Sequence, residues 1–347
     1  MNDPAAQQTV VRALDHIYNM EFAQADALIR QLQTRYPQHP VAFMLRATQL
    51  DIQHLPLADN KGAMAQFGQA VGEGMTLSKR MLDKNEADPE GIFFMLSSYS
   101  YMASLYHNQG ESLKAVGESK KAYNYLRSGA KLLDKQSDFY FTTGLYNYYV
   151  ERYPVDHPIV RPFMFFFADG DMPLGLKQMD IATRKAVFMR PVANYYLAHI
   201  LLKHESNPVK ASAYTSYLVE KYPKNPLFAM IQAETLLLSG RYTDARPAVQ
   251  QLRQFTNKLV PLAYQTFSGM LAEQADKNDR AAAECYEAAL KLPANDAYTK
   301  EYKAFAYAGL ARIAARANDR TRARALYKKV LDTAEYKLVI REAKAFK

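Results

Sequence analysis

His199 and His204 are candidate metal ligands, but they lie five residues apart on a predicted helix, not at the i, i+4 spacing that sets two imidazoles on one ion. His204-Glu205 has no further ligand nearby, so both histidines read as ordinary surface or packing residues. Asp169-Gly170-Asp171 resembles the start of a calcium loop, yet the further oxygen ligands and the closing Glu are missing. Asp171 stands directly before Met172-Pro173, where a carboxylate caps the N–H groups of a new helix and meets its positive end. Cys285 sits among Ala281, Ala282, Ala283, Ala288 and Ala289 with nothing adjacent to lower its pKa, which predicts a buried structural thiol and not a nucleophile. The chain has no Gly-rich phosphate loop ending in Lys-Ser/Thr, no His-Glu-x-x-His, no dinucleotide fingerprint and no Gly-x-Ser-x-Gly elbow. The expectation is therefore a protein without catalytic residues, metal or cofactor.

A single cysteine also excludes an internal disulfide framework and a multi-cysteine zinc site. With 347 residues, 49% hydrophobic and 23% charged, the chain can bury a large core. Glycine (14) and proline (16) are sparse, which points to helices and away from turn-dense β architectures. The net charge of +9 comes from 44 basic and 35 acidic residues spread along the chain, without a basic arm. Arg316, Arg320, Arg322, Arg324, Lys328 and Lys329 make the last unit basic, but Asp319 and Asp332 interrupt it, so a solvated helix face is favoured over nucleic-acid binding. No stretch approaches the ~18–20 apolar residues of a membrane span, and Met-Asn-Asp-Pro-Ala-Ala-Gln-Gln lacks a basic segment followed by an apolar one. A soluble protein is expected, cytoplasmic, or periplasmic if a leader was trimmed.

The elements that position these residues follow from an internal repeat. Arg35-Tyr36-Pro37-Gln38-His39-Pro40 recurs as Lys221-Tyr222-Pro223-Lys224-Asn225-Pro226, each time between two apolar-periodic stretches. Tyr-Pro ends one helix and the second Pro opens the next, where a missing N–H is harmless. Between Val192 and Pro223, Tyr195, Ala198 and Leu202 share one face, Asn207-Pro208 turns, and Ala211, Thr215 and Leu218 share another. The next unit repeats this ~34 residues on, with Ala229, Ala233 and Leu236, the turn Ser239-Gly240-Arg241-Tyr242, then Ala245, Val249 and Leu252. Near the C-terminus Tyr307, Leu310, Ala311 and Ala314, the turn Asn318-Asp319, then Ala323, Tyr327 and Val330 fall at the large and small positions of a tetratricopeptide repeat, which the chain closely resembles. Tyr99, Met102, Ala103, Tyr106, Gly110, Ala115, Ser119 and Ala122 do the same, and Phe22, Ala25, Ile29, Leu32 and Pro37 do so more loosely.

That resemblance implies an all-α, right-handed superhelical solenoid of antiparallel helix pairs. The pairs are expected at 4–36, 40–85, 89–134, 136–190, 191–223, 225–256, 258–292 and 297–332, with a capping helix at 334–346 in which Val339, Ile340 and Phe346 seal the last hairpin. One domain is expected over 1–347, irregular through 1–190, where second helices such as 111–134 are extended, and regular through 191–332. The stretch Phe139–Tyr149, a proline-rich loop, then Gly170-Asp171 and Gly175-Leu176 also resembles uncharacterised bacterial repeat proteins distantly similar to the eukaryotic inclusion-body clearance group, which implies no enzymatic activity.

In stacked hairpins the first helices line a groove. The groove positions expected here are Ser97, Ser100, Ser104, His107, Asn108, Tyr148, Tyr149, Tyr196, Lys203, His204, Glu234, Arg312 and Arg316, a mixture of hydroxyls, cations and aromatic surface suited to a peptide backbone or a carboxylate. The functional expectation is a non-catalytic protein- or peptide-binding scaffold, monomeric or weakly dimeric. The alternative is a hydrolase or small-ligand-binding protein with a pocket between the loop 152–171 and the tyrosines at 146–149. In that loop Pro154, Pro158 and Pro162 precede Phe163-Met164-Phe165-Phe166-Phe167. Burying four Phe side chains is worth on the order of 6–12 kcal/mol, so the run should serve as an intramolecular plug or, failing that, as a docking element.

Overall fold

Helix stops and starts are written locally, and the computed structural model, which describes residues 3–156, 161, 164 and 167–346, shows how. Among the described residues the regular structure is helical throughout, without strands. The first four pairs are α1 (Pro4–Tyr18) with α2 (Phe22–Arg35), α3 (Val41–Gln53) with α4 (Lys61–Lys84), α5 (Pro89–Asn108) with α6 (Ser112–Gly129), and α7 (Phe139–Asp156) with α8 (Met172–Lys185). Then follow α9 (Arg190–Lys203) and α10 (Pro208–Lys221), α11 (Pro226–Leu238) and α12 (Tyr242–Gln251), α13 (Val260–Gln274) and α14 (Asp279–Lys291), α15 (Lys300–Arg316) and α16 (Arg320–Thr333), and last α17 (Lys337–Ala345). This is the all-α arrangement of helix pairs with a closing helix that the repeat pattern predicts. The chain forms two compact units, Met1–Asn194 and Tyr195–Lys347.

Four of the turns within pairs are built alike. The second residue past the first helix has positive φ, at Met20 (62°), Gly110 (76°), Gly240 (71°) and Asn318 (62°). The next N–H then bonds back five residues, from Glu21 to His16, Glu111 to Tyr106, Arg241 to Leu236 and Asp319 to Ala314, at 2.8–2.9 Å. Glycine and asparagine tolerate this left-handed stop, which is why Ser-Gly-Arg-Tyr and Asn-Asp are legible as turns. Two further turns place Ser206 and Lys277 at positive φ just before Asn207 and Asn278, which cap α10 and α14. Asp171 caps α8 as expected, accepting the Leu174 N–H at 2.9 Å.

Small residues set the packing distances. Ala311 and Ala323 are wholly buried where α15 meets α16, with Tyr327 beside them. In the first unit α7 and α8 cross at Gly144 and Gly175, where a Cβ on either would come within 2.8 Å of the other's carbonyl oxygen. That crossing is the structural content of the Gly144 and Gly175 positions in the Phe139–Leu176 stretch.

Two boundaries differ from expectation. The helix expected over 111–134 ends at Gly129, where the Phe139 ring packs against the glycine so closely that a Cβ would sit 2.3 Å from it; the chain turns here to deliver that ring. The loop expected from 152 begins later, because α7 continues through Pro154 to Asp156. Most of Phe163–Phe167 lies outside the described residues, and with it the choice between plug and docking element. Phe167 is 38% exposed and lies edge-on to Tyr123, with ring centroids 5.3 Å apart.

Candidate functional site

In the second unit a four-residue spacing on α9 places Tyr195, His199 and Lys203 along one face. On α11, Leu227, Met230, Ile231 and Glu234 share a stripe by the same rule, and α15 begins with Lys300, Glu301 and Tyr302. These three stripes border one cavity of about 60 Å³, room for a few water molecules or one compact polar group. Its remaining walls are Asp296, Ala297 and Tyr298 before α15 and the link between α16 and α17, where Ala334 and Tyr336 are extended, with φ, ψ of −76°, 142° and −74°, 120°.

This short segment is held as a bound peptide would be. The Glu301 carboxylate accepts the backbone N–H of Glu335 at 2.7 Å and of Tyr336 at 3.3 Å. The Glu335 carboxylate pairs with Lys203 and lies 3.6 Å from Lys300. The Tyr336 ring stands edge-on to His199 and Phe305, at 6.0 and 5.3 Å between centroids. The Tyr302 hydroxyl donates to Glu234 at 3.1 Å, and Tyr336 lines the same cavity. Groups from two helices thus read the backbone, the charge and the ring of one short stretch.

Burial dominates the electrostatics. It pushes Glu234 and Glu301 up to about 7 and His199 down to about 4, because a charge in this setting loses its hydration. Glu335 is more exposed, and although burial of its carboxyl acts upward, Lys203 and Lys300 hold it below the usual carboxylate range.

Of the groove residues expected from sequence, Lys203 and Glu234 meet here. Tyr196 is 41% exposed on the same helix as Lys203. His204 is buried and is a packing residue, because it sits at the end of α9 where the chain turns into its neighbour. Arg312 and Arg316 are engaged in internal ion pairs, Arg312 mostly covered and Arg316 about half exposed. Arg312 grips the buried Glu273 with two bonds of 2.7–2.8 Å and reaches both oxygens of Glu342 at 3.0–3.1 Å, while Arg316 pairs with Asp279 at 2.6 Å and Glu273 at 3.1 Å. Their donors tie α13, α14, α15 and α17 together.

The other expected residues belong to the first unit. Ser100, Ser104 and His107 are exposed, although the Ser100 hydroxyl bonds back to the Leu96 carbonyl at 2.9 Å. Ser97 is buried, and the Asn108 side chain lies outside the described residues. Tyr148 has 0% exposure, packed where α8 crosses at Gly175, and so is core and not groove; Tyr149 is half-buried, edge-on to it. The helical register that places Tyr148 on the first helix's outer side misses that α8 covers it. The proposed pocket at 146–149 falls largely against residues outside those described. Within them, the Tyr146 hydroxyl donates to the Ala168 carbonyl at 2.5 Å and Asn147 bonds Gln178 at 2.8 Å.

The sequence reading does not include Glu301, Tyr302, Glu335 or Tyr336 among the site residues, and it assigns Tyr195 to a packing face. The available signal was the polar i, i+4, i+8 series Tyr195, His199, Lys203; nothing local marks Glu335-Tyr336 as a segment that folds back. Cys285 is partly buried, and burial raises its thiol pKa, in keeping with a structural role. No helix among the described residues is long and apolar enough to cross a membrane.

No family model and no curated protein matches the sequence. Among solved structures, yeast Tom70 is similar at 15% identity and a TM-score of 0.40, covering 95% of this chain and 86% of its own. A tetratricopeptide repeat protein from Parabacteroides merdae is similar at 14% identity and a TM-score of 0.36, over 88% of this chain and 99% of that one. The C-terminal part of a repeat protein from Cytophaga hutchinsonii gives 16% identity and a TM-score of 0.27, over 95% and 98%.

Proposed function

We propose that the protein is a non-catalytic binding scaffold whose second unit recognises an extended peptide segment of a partner protein, on the face built from α9, α11 and α15. The observation that carries this reading is the extended Ala334–Tyr336 stretch, whose backbone donors, acidic side chain and aromatic ring are each engaged by a different group on that face. A partner segment with an acidic residue followed by an aromatic one would satisfy the same groups after displacing the chain's own. Tyr196, exposed beside them, adds contact area with little rotamer entropy to lose.

The test uses the full chain carrying Glu335→Gln and Tyr336→Ala, which loosens the internal segment while keeping the helices. A fluorescent peptide Thr-Ala-Glu-Tyr-Lys should then bind saturably by anisotropy and bind far more weakly to the unaltered chain. Adding Lys203→Glu and Tyr196→Ala should abolish capture with helical content unchanged. Equal, non-saturating signals for all three proteins would overturn the reading.

A further inference from the structure

Positive charge gathers at the end of the second unit. Residues 320–346 carry eight Lys and Arg against three acids, so less than a tenth of the chain accounts for five of its nine net positive charges. Two of those acids are already taken by cations from other helices: Glu335 pairs with Lys203 and Lys300, and Glu342 with Arg312. Asp319, just before the stretch, caps α16 by accepting the Arg322 N–H at 2.9 Å. The Arg322 side chain pairs with Glu287, and Arg320 lies over the Phe346 ring. Among the described residues this leaves Arg324, Lys328, Lys329, Lys337, Arg341 and Lys344 without an ion pair, against one acid in the same condition, Asp332. Leu331 in the last turn of α16 and Leu338 in the first turn of α17 are 44% and 43% exposed, at either end of the short link 334–336. Arg324 and Lys328 share a stripe with Leu331 by helical spacing. On α17, Val339 and Ala343 form the buried side, and Leu338 lies with Arg341 on the exposed one.

We propose that the α16–α17 end of the second unit docks on an anionic lipid bilayer, with these lysines and arginines at the level of the headgroup phosphates and Leu331 and Leu338 pressed into the acyl boundary. A terminal repeat needs only a polar outer face to stay in solution. Charge of one sign set around exposed leucines is instead the composition of an interfacial helix, drawn to anionic lipid by its cations and held by its apolar side chains. Nucleic acid would meet the charge but leave the leucines uncovered. The rings that could stack on bases are also turned away, since Tyr327 and Tyr336 are buried and Phe346 packs on Tyr327 at 4.9 Å between centroids. Four of the six unpaired cations are lysines, point charges that suit a diffuse anionic surface better than two-pronged recognition of a base or a partner's carboxylate. Docking would be peripheral, as no helix among the described residues is long and apolar enough to cross a membrane. It does not rest on peptide recognition by α9, α11 and α15, because none of these cations or leucines takes part there.

The test is co-sedimentation of the unaltered full chain with vesicles of phosphatidylcholine alone and of phosphatidylcholine with about 30% phosphatidylserine, in about 0.1 M NaCl. Binding about tenfold or more stronger to the anionic vesicles, and largely lost in about 0.5 M NaCl, is the expected result. Lys328→Glu with Arg341→Glu should weaken it about tenfold or more. Leu331→Ser with Leu338→Ser, which leaves every charge in place, should weaken it about fivefold. All four side chains are exposed, so circular dichroism of both variants should match the unaltered chain. No binding to the anionic vesicles, equal binding to the neutral ones, or affinity unchanged in either variant would overturn the proposal. A duplex DNA oligonucleotide, followed by anisotropy, provides the rival polyanion: binding to it tighter than to the anionic vesicles, and indifferent to the leucine pair, would also overturn the proposal and assign the face to nucleic acid.

Discussion

The second unit contains two buried carboxylate clusters, and they have opposite electrostatics. Glu273, 4% exposed, accepts from the Tyr286 hydroxyl and from both Arg312 and Arg316; burial raises its pKa, but Arg312 above all brings it below the ordinary carboxylate range. Glu234, as little exposed, accepts from the Tyr302 hydroxyl and pairs with no cation among the described residues, and burial pushes it up to about 7. Both are almost closed to solvent, but Glu234 lies deeper, and only Glu273 has cations beside it to reverse the effect of burial. A carboxylate clamped by guanidinium groups is a structural tie, whereas one buried beside hydroxyls alone holds its proton to higher pH.

The largest test of that contrast removes the clamp. Arg312→Ala leaves Glu273 with only the partly exposed Arg316 and releases Glu342, and it should destabilise the protein by about 3–5 kcal/mol in urea unfolding at pH 7. A loss below about 1 kcal/mol would mean that the two clusters do not differ as described.

The next test uses pH. A carboxyl whose folded pKa is raised keeps its proton in the folded state longer than in the unfolded one. Stability is therefore lost as pH rises from 4.5, the ordinary value for Glu234, to its folded value of about 7, and is level above that. Glu301 acts in the same direction, and His199, lowered from 6.5 to about 4, acts in the opposite direction over that interval. Comparing Glu234→Gln with the unaltered chain isolates the one group: relative to it, the variant should gain about 2–3 kcal/mol between pH 4.5 and pH 8. Glu273→Gln should show the reverse, since a lowered pKa contributes stability that is present at neutral pH and lost in acid. Parallel pH profiles for the two variants would erase the distinction.

The smallest expected effect provides the control. Arg322 and Glu287 form a pair at 3.5 Å with both side chains more than half exposed, so Arg322→Ala should change stability by no more than about 0.5 kcal/mol. A larger loss would show that surface charge matters more in this repeat than the buried clusters imply.

Legibility from sequence was uneven for physical reasons. Asn207, Asp171 and Asn318 announce turns because capping and left-handed backbone are decided within a few residues. Ala311, Ala323 and Tyr327 announce a hairpin because two antiparallel helices need small residues where they touch and large ones beside. Tyr148 and Arg312 misled for a shared reason. Each takes an outward register position in the sequence reading, but Tyr148 faces α8, the second helix of its own hairpin, and Arg312 is engaged by α13 and α17. Lys203 and Glu234 were visible as polar residues on first helices, but their companions Glu335 and Tyr336 lie more than a hundred positions away from Lys203, beyond any periodic signal.

The sequence by itself determined the helices, their order as pairs and the closing amphipathic segment, because those depend on local backbone preference and on which residues recur at helical spacing. Tertiary structure alone decided which polar groups lose water and which cations reach them, since that depends on distances between stripes on separate helices. Glu273 and Glu234 look alike along the chain; only folding gives one of them two arginines and the other a tyrosine hydroxyl.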